Sequence, residues 1–335
     1  MVALGAYIES PLELPYIDKD VDLKGRTIHL LPYYDASASE WFAFFPGKGK
    51  KLQRVALVDV IRGGYLSSKP LEESTDLSLP LHDLVFQRMS FPGMGRPIMG
   101  LEDAVENATS TLEFYEIVSK LHQEAHPGAS QMAQSLLNQL FVVSRSLYDT
   151  LQVVCKVVCS FAMRIEDPSK AMMNNLPTSF AEVALHADQP RTAEEISARY
   201  NMPPPLAGFY SSQAPFLADI RKIRDRIIHR GHHAGFVMNL DEGLAISTND
   251  VPWRDFPIWE GAIIGENGLG SLRRLFAHII MTSVAATTRF AEAFFSCVAL
   301  PAPLSPGNRA YLRGPLNHHL LTLEHTLEFP WERKG

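Results

Sequence analysis

Cysteine is scarce in this chain of 335 residues, which contains only Cys155, Cys159 and Cys297. A secreted disulfide framework needs a dense and even set, so the low, odd count excludes that class and suits a reducing cytoplasm. Cys155 and Cys159 lie four residues apart in an apolar helical pattern. That pattern favours small buried core residues, with a metal or redox pair as the open alternative.

Long apolar runs are also missing. No stretch approaches 18 apolar residues, so the sequence predicts no transmembrane helix. The first twenty residues, MVALGAYIESPLELPYIDKD, have no basic segment followed by an apolar core, as a secretory signal would. We therefore expect a cytoplasmic protein with no membrane partner.

The chain has no excess of positive charge. Its net charge is −6 and its pI is near 6.1, the wrong sign for a protein that binds nucleic acid over its whole surface. Any RNA contact must come from a local basic patch. One segment qualifies, residues 220–236, IRKIRDRIIHRGHHAGF, with four arginines and three histidines among isoleucines.

Composition and patterning predict two domains. Residues 1–100 are rich in proline, glycine and aromatics, and RTIHLLPYY, EWFAFF and RVALVDVI read as strands of a small β-containing domain of unknown role. Residues 101–335 show helical spacing. The fold predicted there is mainly α, an antiparallel bundle of four to five helices, with a β-hairpin insertion after the third long helix.

Four long helices are predicted in the second domain. They begin near Leu101, near Ser130, near Pro215 and at Ser271. The second carries a buried stripe that includes Leu137, Tyr148 and Cys155, and the fourth carries one that includes Leu275, Ile279 and Phe290. A short helix capped by Thr192 and Glu195 is expected before the third, and the tail is expected to form one more helix.

Arg224 is unusual within the basic segment. On an ideal helix it falls inside the apolar arc that contains Ile220 and Ile227, whereas Asp225 falls opposite. A guanidinium in an apolar stripe is costly unless it has a partner or lines a polar cleft. His229 lies about 140° around and about 7.5 Å further along the axis. The two side chains can meet only if the helix frays near Gly231 or if a second subunit supplies one of them.

Three other groups of residues have both a structural and a functional interpretation. Arg145 and Asp149, four apart, form either a surface pair or the lining of a polar site between helices. GENGLGS, residues 265–271, resembles a phosphate-binding loop, but Ser271 stands where lysine is required, which favours a glycine-rich turn before a capped helix. His318, His319 and His325 include no pair spaced four apart, so no metal site and no cofactor are predicted.

The stretch from Arg224 to His229, RDRIIH, resembles the signature of the HEPN superfamily: arginine, a polar residue, three further residues, then histidine. HEPN domains are helical bundles found in many prokaryotic ribonucleases, toxins and anti-phage proteins. The resemblance covers about residues 101–298. SRSLYDTLQ and NLPTSFAEVAL in earlier segments also resemble some HEPN-like proteins.

The resemblance implies a metal-independent endoribonuclease that works as a homodimer, in defence, as a toxin or in a stress response. Arg224 would stabilise charge on the phosphate, His229 would transfer protons, and Asp225 would orient the pair. Cleavage by the ribose 2′-hydroxyl would leave a 2′,3′-cyclic phosphate. Residues that would contact RNA are Arg221, Arg226, Arg230, His232 and His233, and Arg145 and Asp149 would support the site.

The sequence departs from one branch of the family. Some HEPN toxins carry a tyrosine two residues after the histidine, where a partner enzyme modifies it; Gly231 occupies that position here. This departure argues against the tyrosine-modified toxin–antitoxin mode.

The rival hypothesis is a non-catalytic HEPN-like module for RNA or nucleotide binding or for protein assembly, in which Arg224 pairs with a buried carboxylate such as Asp149. Arg226 with His232 is an alternative motif pair.

Overall fold

The structure is a computed structural model. It describes residues 7–8, 13–26, 28–47, 51–91, 93–160, 163–165, 175–230, 236–249, 253, 258–259, 263–264, 268–314, 318 and 320–321. Within the helix that ends at residue 230, the side chains of residues 228–230 lie outside this description.

A seven-stranded sheet holds all six described strands of residues 1–100 and one strand from near residue 310. Numbered in chain order, these are β1 (Tyr7–Ile8), β2 (Tyr33–Asp35), β3 (Glu40–Pro46), β4 (Leu52–Leu57), β5 (Gly63–Ser67), β6 (Asp76–Ser78) and, from far along the chain, β15 (Arg309–Arg313). The order across the sheet is β1-β4-β3-β2-β5-β15-β6. All neighbouring strands are antiparallel except β2 and β5. The sheet therefore joins the two ends of the described chain.

Seven α-helices account for most of the rest of the described structure. They are α1 (Pro80–Asp83), which continues into a π-helical turn at Leu84–Arg88, α2 (Gly95–Gln123), α3 (Ala129–Cys159), α4 (Phe180–Ala184), α5 (Ala193–Tyr200), α6 (Pro204–Arg230) and α7 (Leu272–Cys297). The long helices α2, α3, α6 and α7 pack against one another. None of the described helices is long and apolar enough to cross a lipid bilayer.

Three smaller sheets complete the described elements. One has four strands, β10 (Val237–Leu240), β11 (Gly243–Ser247), β12 (Ile263–Ile264) and β13 (Leu269–Ser271), in the order β10-β11-β13-β12. Two have two strands each, β7 (Met163–Arg164) with β14 (Val298–Ala299) and β8 (Leu185–His186) with β9 (Gln189–Pro190).

The predicted fold class is wrong. A mainly α bundle of four to five helices with a small β region is contradicted, because the described residues form seven α-helices, a seven-stranded sheet and three further sheets. The predicted hairpin after α6 is formed by β10 and β11. Because β11 also pairs with β13, the hairpin is part of the four-stranded sheet. The division into two domains at residue 100 stays a prediction. The seven-stranded sheet also contains β15, which comes from residues 309–313.

The buried faces of two long helices follow the predicted stripes. Leu137, Tyr148 and Cys155 of α3 are fully buried, and so are Leu275, Ile279 and Phe290 of α7. Residues of one stripe recur every three or four positions, so they project from one face of the helix toward the core. This part of the sequence prediction is confirmed.

The predicted helix caps are confirmed, whereas one predicted helix start is wrong. The Ser271 hydroxyl caps α7 by accepting from the backbone N–H of Arg274, and Thr192 and Glu195 form the predicted capping box of α5. The start of α6 was predicted near Pro215, but the helix begins at Pro204 and contains Pro215 in its interior. Proline is tolerated in the first turn because its missing N–H has no partner there, so Pro204 starts the helix.

Candidate functional site

The segment 220–230 forms the last turns of α6, and its apolar side faces the core. Ile220 and Ile223 are fully buried, whereas the Arg224 side chain is 34% exposed. The guanidinium of Arg224 thus lies at the edge of the apolar face. It is held close to the protein and remains open to solvent.

Asp225 joins the two neighbouring arginines of α6. Nη1 of Arg224 donates to Oδ1 of Asp225 at 2.8 Å, and Nε of Arg221 lies 3.6 Å from Oδ2 of the same carboxylate. Arg221 also forms an ion pair with Asp188, at 2.9 Å between Nη1 and Oδ1. Both side chains of the Arg221–Asp188 pair are exposed, and exposed pairs contribute little to stability.

A third arginine reaches the same surface from α3. The Arg145 side chain is only 14% exposed, and it donates to Oδ1 of Asp149 and to Oγ of Ser179, each at 2.9 Å. Burial lowers the pKa of Arg145 and Asp149 opposes that change, while the positive charges of Arg221 and Arg224 lower the pKa further. The three guanidinium groups are therefore close enough to interact electrostatically.

Among the predicted site residues, the structure brings Arg145, Asp149, Arg221, Arg224 and Asp225 to one surface, where α3 packs against α6. Arg226 is half-buried on α6. The backbone of His229 and Arg230 lies in α6, but their side chains are outside the described part of the structure, and His232 and His233 lie outside it altogether. We call the first five residues, with Asp188, the arginine cluster.

The rival pairing of Arg224 with Asp149 is wrong. The carboxylate of Asp149 accepts from Arg145 of its own helix and from the backbone N–H of Phe180, at 3.0 Å. The carboxylate that binds Arg224 is Asp225, the next residue in the chain. Arg224 is consequently not sealed in a buried ion pair.

Sequence reasoning missed Asp188 of the cluster and Ser179, whose hydroxyl accepts from Arg145 beside it. Asp188 lies in the turn between β8 and β9, where it adopts φ +64°, a left-handed conformation that aspartate tolerates better than most residues. The turn itself is visible in the sequence. Its position beside Arg221, 33 residues later, depends on how α4 to α6 pack, which no local pattern shows.

The cluster balances its charges. Three guanidinium groups meet three carboxylates, those of Asp149, Asp188 and Asp225. Arginine forks bind phosphate oxygens with paired, charge-assisted hydrogen bonds, so a phosphate could replace a weakly bound surface carboxylate. Chemically, the cluster can bind a phosphodiester and stabilise negative charge on it.

The cysteines form a separate group. Cys155 and Cys297 are buried, and Sγ of Cys155 lies 3.9 Å from Sγ of Cys159. Burial raises the pKa of the Cys159 thiol well above its usual value, which favours the neutral thiol over the thiolate that redox and metal chemistry need. Within the described residues, no three His, Cys, Asp or Glu side chains are grouped to hold a metal ion.

Compared with known proteins, the chain matches no protein-family model, no curated protein and no solved structure. Its function must therefore be inferred from its own residues.

Proposed function

We propose that the protein is a cytoplasmic, metal-independent endoribonuclease that acts as a homodimer. The ribose 2′-hydroxyl would attack the adjacent phosphodiester and leave a 2′,3′-cyclic phosphate and a 5′-hydroxyl end. One observation carries the proposal: Arg224 remains partly exposed beside Arg221 and Arg145, although Ile220 and Ile223 of the same helix are buried. The resemblance of RDRIIH to the HEPN signature supplies the reaction.

Each residue has a role that its chemistry supports. Arg224 would donate hydrogen bonds to the phosphate and stabilise the charge that develops on it. Asp225, 2.8 Å from Arg224, would hold that guanidinium in position. His229 would move the proton, since imidazole titrates near neutral pH. Arg221 and Arg226 would bind neighbouring phosphates, together with Arg230, His232 and His233.

The homodimer is part of the proposal because of the helix geometry. The backbone of α6 is helical as far as Arg230, so Arg224 and His229 lie on one continuous helix. Five residues of an ideal helix separate them by about 140° around the axis. On such a helix the two side chains would project from different faces of one copy, which supports a site completed by the second copy.

Cleavage of a 5′-labelled single-stranded RNA in the presence of EDTA tests the proposal. We expect the wild-type protein to cut the RNA and to leave 5′-hydroxyl ends. Arg224→Ala and His229→Ala should each lose cleavage by at least about 100-fold, the range for removing one transition-state donor or one general acid or base. Lys222→Ala is the matched control, because Lys222 is an exposed cation of the same helix.

Folding and oligomeric state must be checked for each variant by circular dichroism and light scattering. A folded wild-type dimer that leaves varied RNAs uncut between pH 5.5 and 8.5 would refute the nuclease. Cleavage that persists in folded Arg224→Ala would refute the assignment of the site.

The second candidate is a non-catalytic RNA- or nucleotide-binding module. The charge balance of the cluster favours it, because Arg145, Arg221 and Arg224 each already have a carboxylate partner. This hypothesis predicts RNA binding that weakens in Arg221→Ala and Arg224→Ala, with no cleavage in any variant. Fluorescence anisotropy and the cleavage assay on the same samples separate the two functions.

A further inference from the structure

A cavity of about 240 Å³ lies far from the arginine cluster in sequence, between the seven-stranded sheet and α2. Its walls come from α1 and the π-helical turn, from β5 and the end of β15, and from the first half of α2. Most of the lining is apolar, with Leu81, Val85, Ile98, Leu101 and Val105 as examples. An apolar cavity with a few polar groups is the usual form of a small-molecule site.

The cations of the cavity are already neutralised. Arg313 is 4% exposed and forms ion pairs with Asp59, Glu73 and Asp76, and Arg62 pairs with Glu106. The acidic groups around Arg313 outnumber its single charge. The described residues therefore leave this region with excess negative charge.

Glu102 adds to that excess. It lines the cavity from α2, is half-buried, and has no cationic partner among the described residues. Burial and the neighbouring charge of Asp103 raise the pKa of its carboxyl group, which means that its ionised form lacks compensation. A cation bound beside Glu102 would supply the compensating positive charge that the described residues do not provide.

His82 also contributes a polar side chain to the cavity wall. Its side chain is 7% exposed, its ring stacks on Phe86 at 5.6 Å between centroids, and its Nδ1 has no hydrogen-bond partner in the described residues. Burial lowers the pKa of His82 to about 4, so the ring is neutral at pH 7 and does not repel a cation. A buried unpaired ring nitrogen in a cavity wall indicates a missing hydrogen-bonding partner.

We propose that this cavity binds a small organic amine, with the ammonium group at the Glu102 carboxylate, the apolar body among Leu81, Val85 and Ile98, and a hydrogen bond to His82. The size fits that class. A cavity of about 150 Å³ accepts benzene, so 240 Å³ accommodates an aromatic ring with a short side chain. The site is independent of the proposed nuclease.

Isothermal titration calorimetry with three matched probes tests the amine site on the full chain. Phenethylamine is the cation, 2-phenylethanol its neutral analogue and 3-phenylpropionate an anionic one. We expect millimolar or tighter binding of the amine, weaker binding of the alcohol and none of the anion. Glu102→Gln should weaken amine binding at least about tenfold and leave the alcohol unaffected, because only a charge-assisted hydrogen bond is lost.

Glu113→Gln is the matched control, since Glu113 lies on the same helix outside the cavity lining. It should bind the amine as the wild type does. Glu102→Gln keeps the shape of the side chain and removes a half-buried charge, so thermal unfolding should show a folded protein. Equal binding of all three probes, unchanged amine binding in Glu102→Gln, or no amine binding at 10 mM would each overturn the proposal.

Discussion

Arg145 and Asp149 stand one turn apart on α3, and Nη1 of the arginine donates a 2.9 Å hydrogen bond to Oδ1 of the aspartate. The same oxygen accepts from the backbone N–H of Phe180 at 3.0 Å and from Oγ of Ser179 at 3.2 Å. Ser179 precedes the first residue of α4 and does not cap it with its own side chain. The pair is therefore an anchor for the start of α4 as well as part of the arginine cluster.

Replacing Asp149 by alanine should destabilise the protein. The change removes the acceptor of three hydrogen bonds and leaves Arg145, which is largely buried, without its carboxylate. Because Asp149 itself is partly exposed, we expect a loss of about 1–2 kcal/mol in the free energy of unfolding. Urea denaturation measures it, and Glu292→Ala, an exposed acid on α7, is the control. Equal stability of the two variants would show that Asp149 does not stabilise the start of α4.

The long helices could be predicted because their signal is local. Leu137, Tyr148 and Cys155 of α3 recur at helical spacing, and a stripe of this kind needs no knowledge of what packs against it. The Ser271 and Thr192 caps are local in the same sense, since each hydroxyl accepts from an N–H three residues later.

The seven-stranded sheet could not be predicted in the same way. The pairing of β15 with β5 joins Arg309 to Ser67 across the length of the chain, and a five-residue strand carries little periodicity of its own. Strands of two or three residues, such as β7 and β12, carry less. The start of α6 was misplaced because Pro215 also fits a first-turn position, although the helix accommodates it in its interior.

The same difference between local and long-range contacts applies to the candidate site. Asp225 neighbours Arg224 in sequence, so their pairing could be foreseen. Asp188 reaches Arg221 through the packing of the β8–β9 turn against α6, and the cavity around Glu102 has Leu312 and Arg313 of β15 in its wall. Neither arrangement has a signature in the sequence.

Gly270 should resist substitution by alanine. A Cβ atom there would lie 2.4 Å from two carbons of the Trp259 ring, which is fixed by a hydrogen bond from its indole N–H to the carbonyl of Trp253. Overpacking of this kind costs about 1–3 kcal/mol. Thermal unfolding should show a lower Tm for Gly270→Ala, and no change for Gly307→Ala, whose Cβ would meet nothing within 4 Å. A wild-type Tm in Gly270→Ala would refute the close contact with Trp259.

His82 should make the protein sensitive to acid. Burial lowers its folded-state pKa to about 4, below the ordinary value of 6.5, so between these limits the unfolded chain binds the proton more readily. The stability that the neutral ring contributes is present above pH 6.5 and is lost as the pH falls toward 4. The loss between pH 7 and pH 5 is about 2 kcal/mol.

His82→Phe should remove that part of the acid loss, because phenylalanine can stack on Phe86 and does not titrate. Urea denaturation at pH 7 and pH 5 measures the difference for each protein. His186→Phe, at an exposed position of β8, is the control and should behave as the wild type does. An unchanged difference in His82→Phe would show that other groups cause the acid sensitivity.

Under the proposed function, Asp188→Asn should strengthen RNA binding. The Asp188 carboxylate lies 2.9 Å from Nη1 of Arg221, and both side chains are exposed, so the pair adds little stability but competes with phosphate for the guanidinium. Neutralising Asp188 leaves Arg221 with the more distant Asp225 as its carboxylate partner in the described cluster. One additional phosphate contact should tighten binding several-fold and steepen the dependence of log Kd on log salt by up to about 0.7, the value for single strands. Anisotropy titrations of a labelled single-stranded RNA at several salt concentrations measure both quantities.

Arg221→Ala should shift the affinity and the salt dependence in the opposite direction. The double variant should bind as Arg221→Ala does, because Asp188 acts only through that arginine. Weaker binding in Asp188→Asn would mean that the carboxylate positions Arg221 for RNA and does not compete for it.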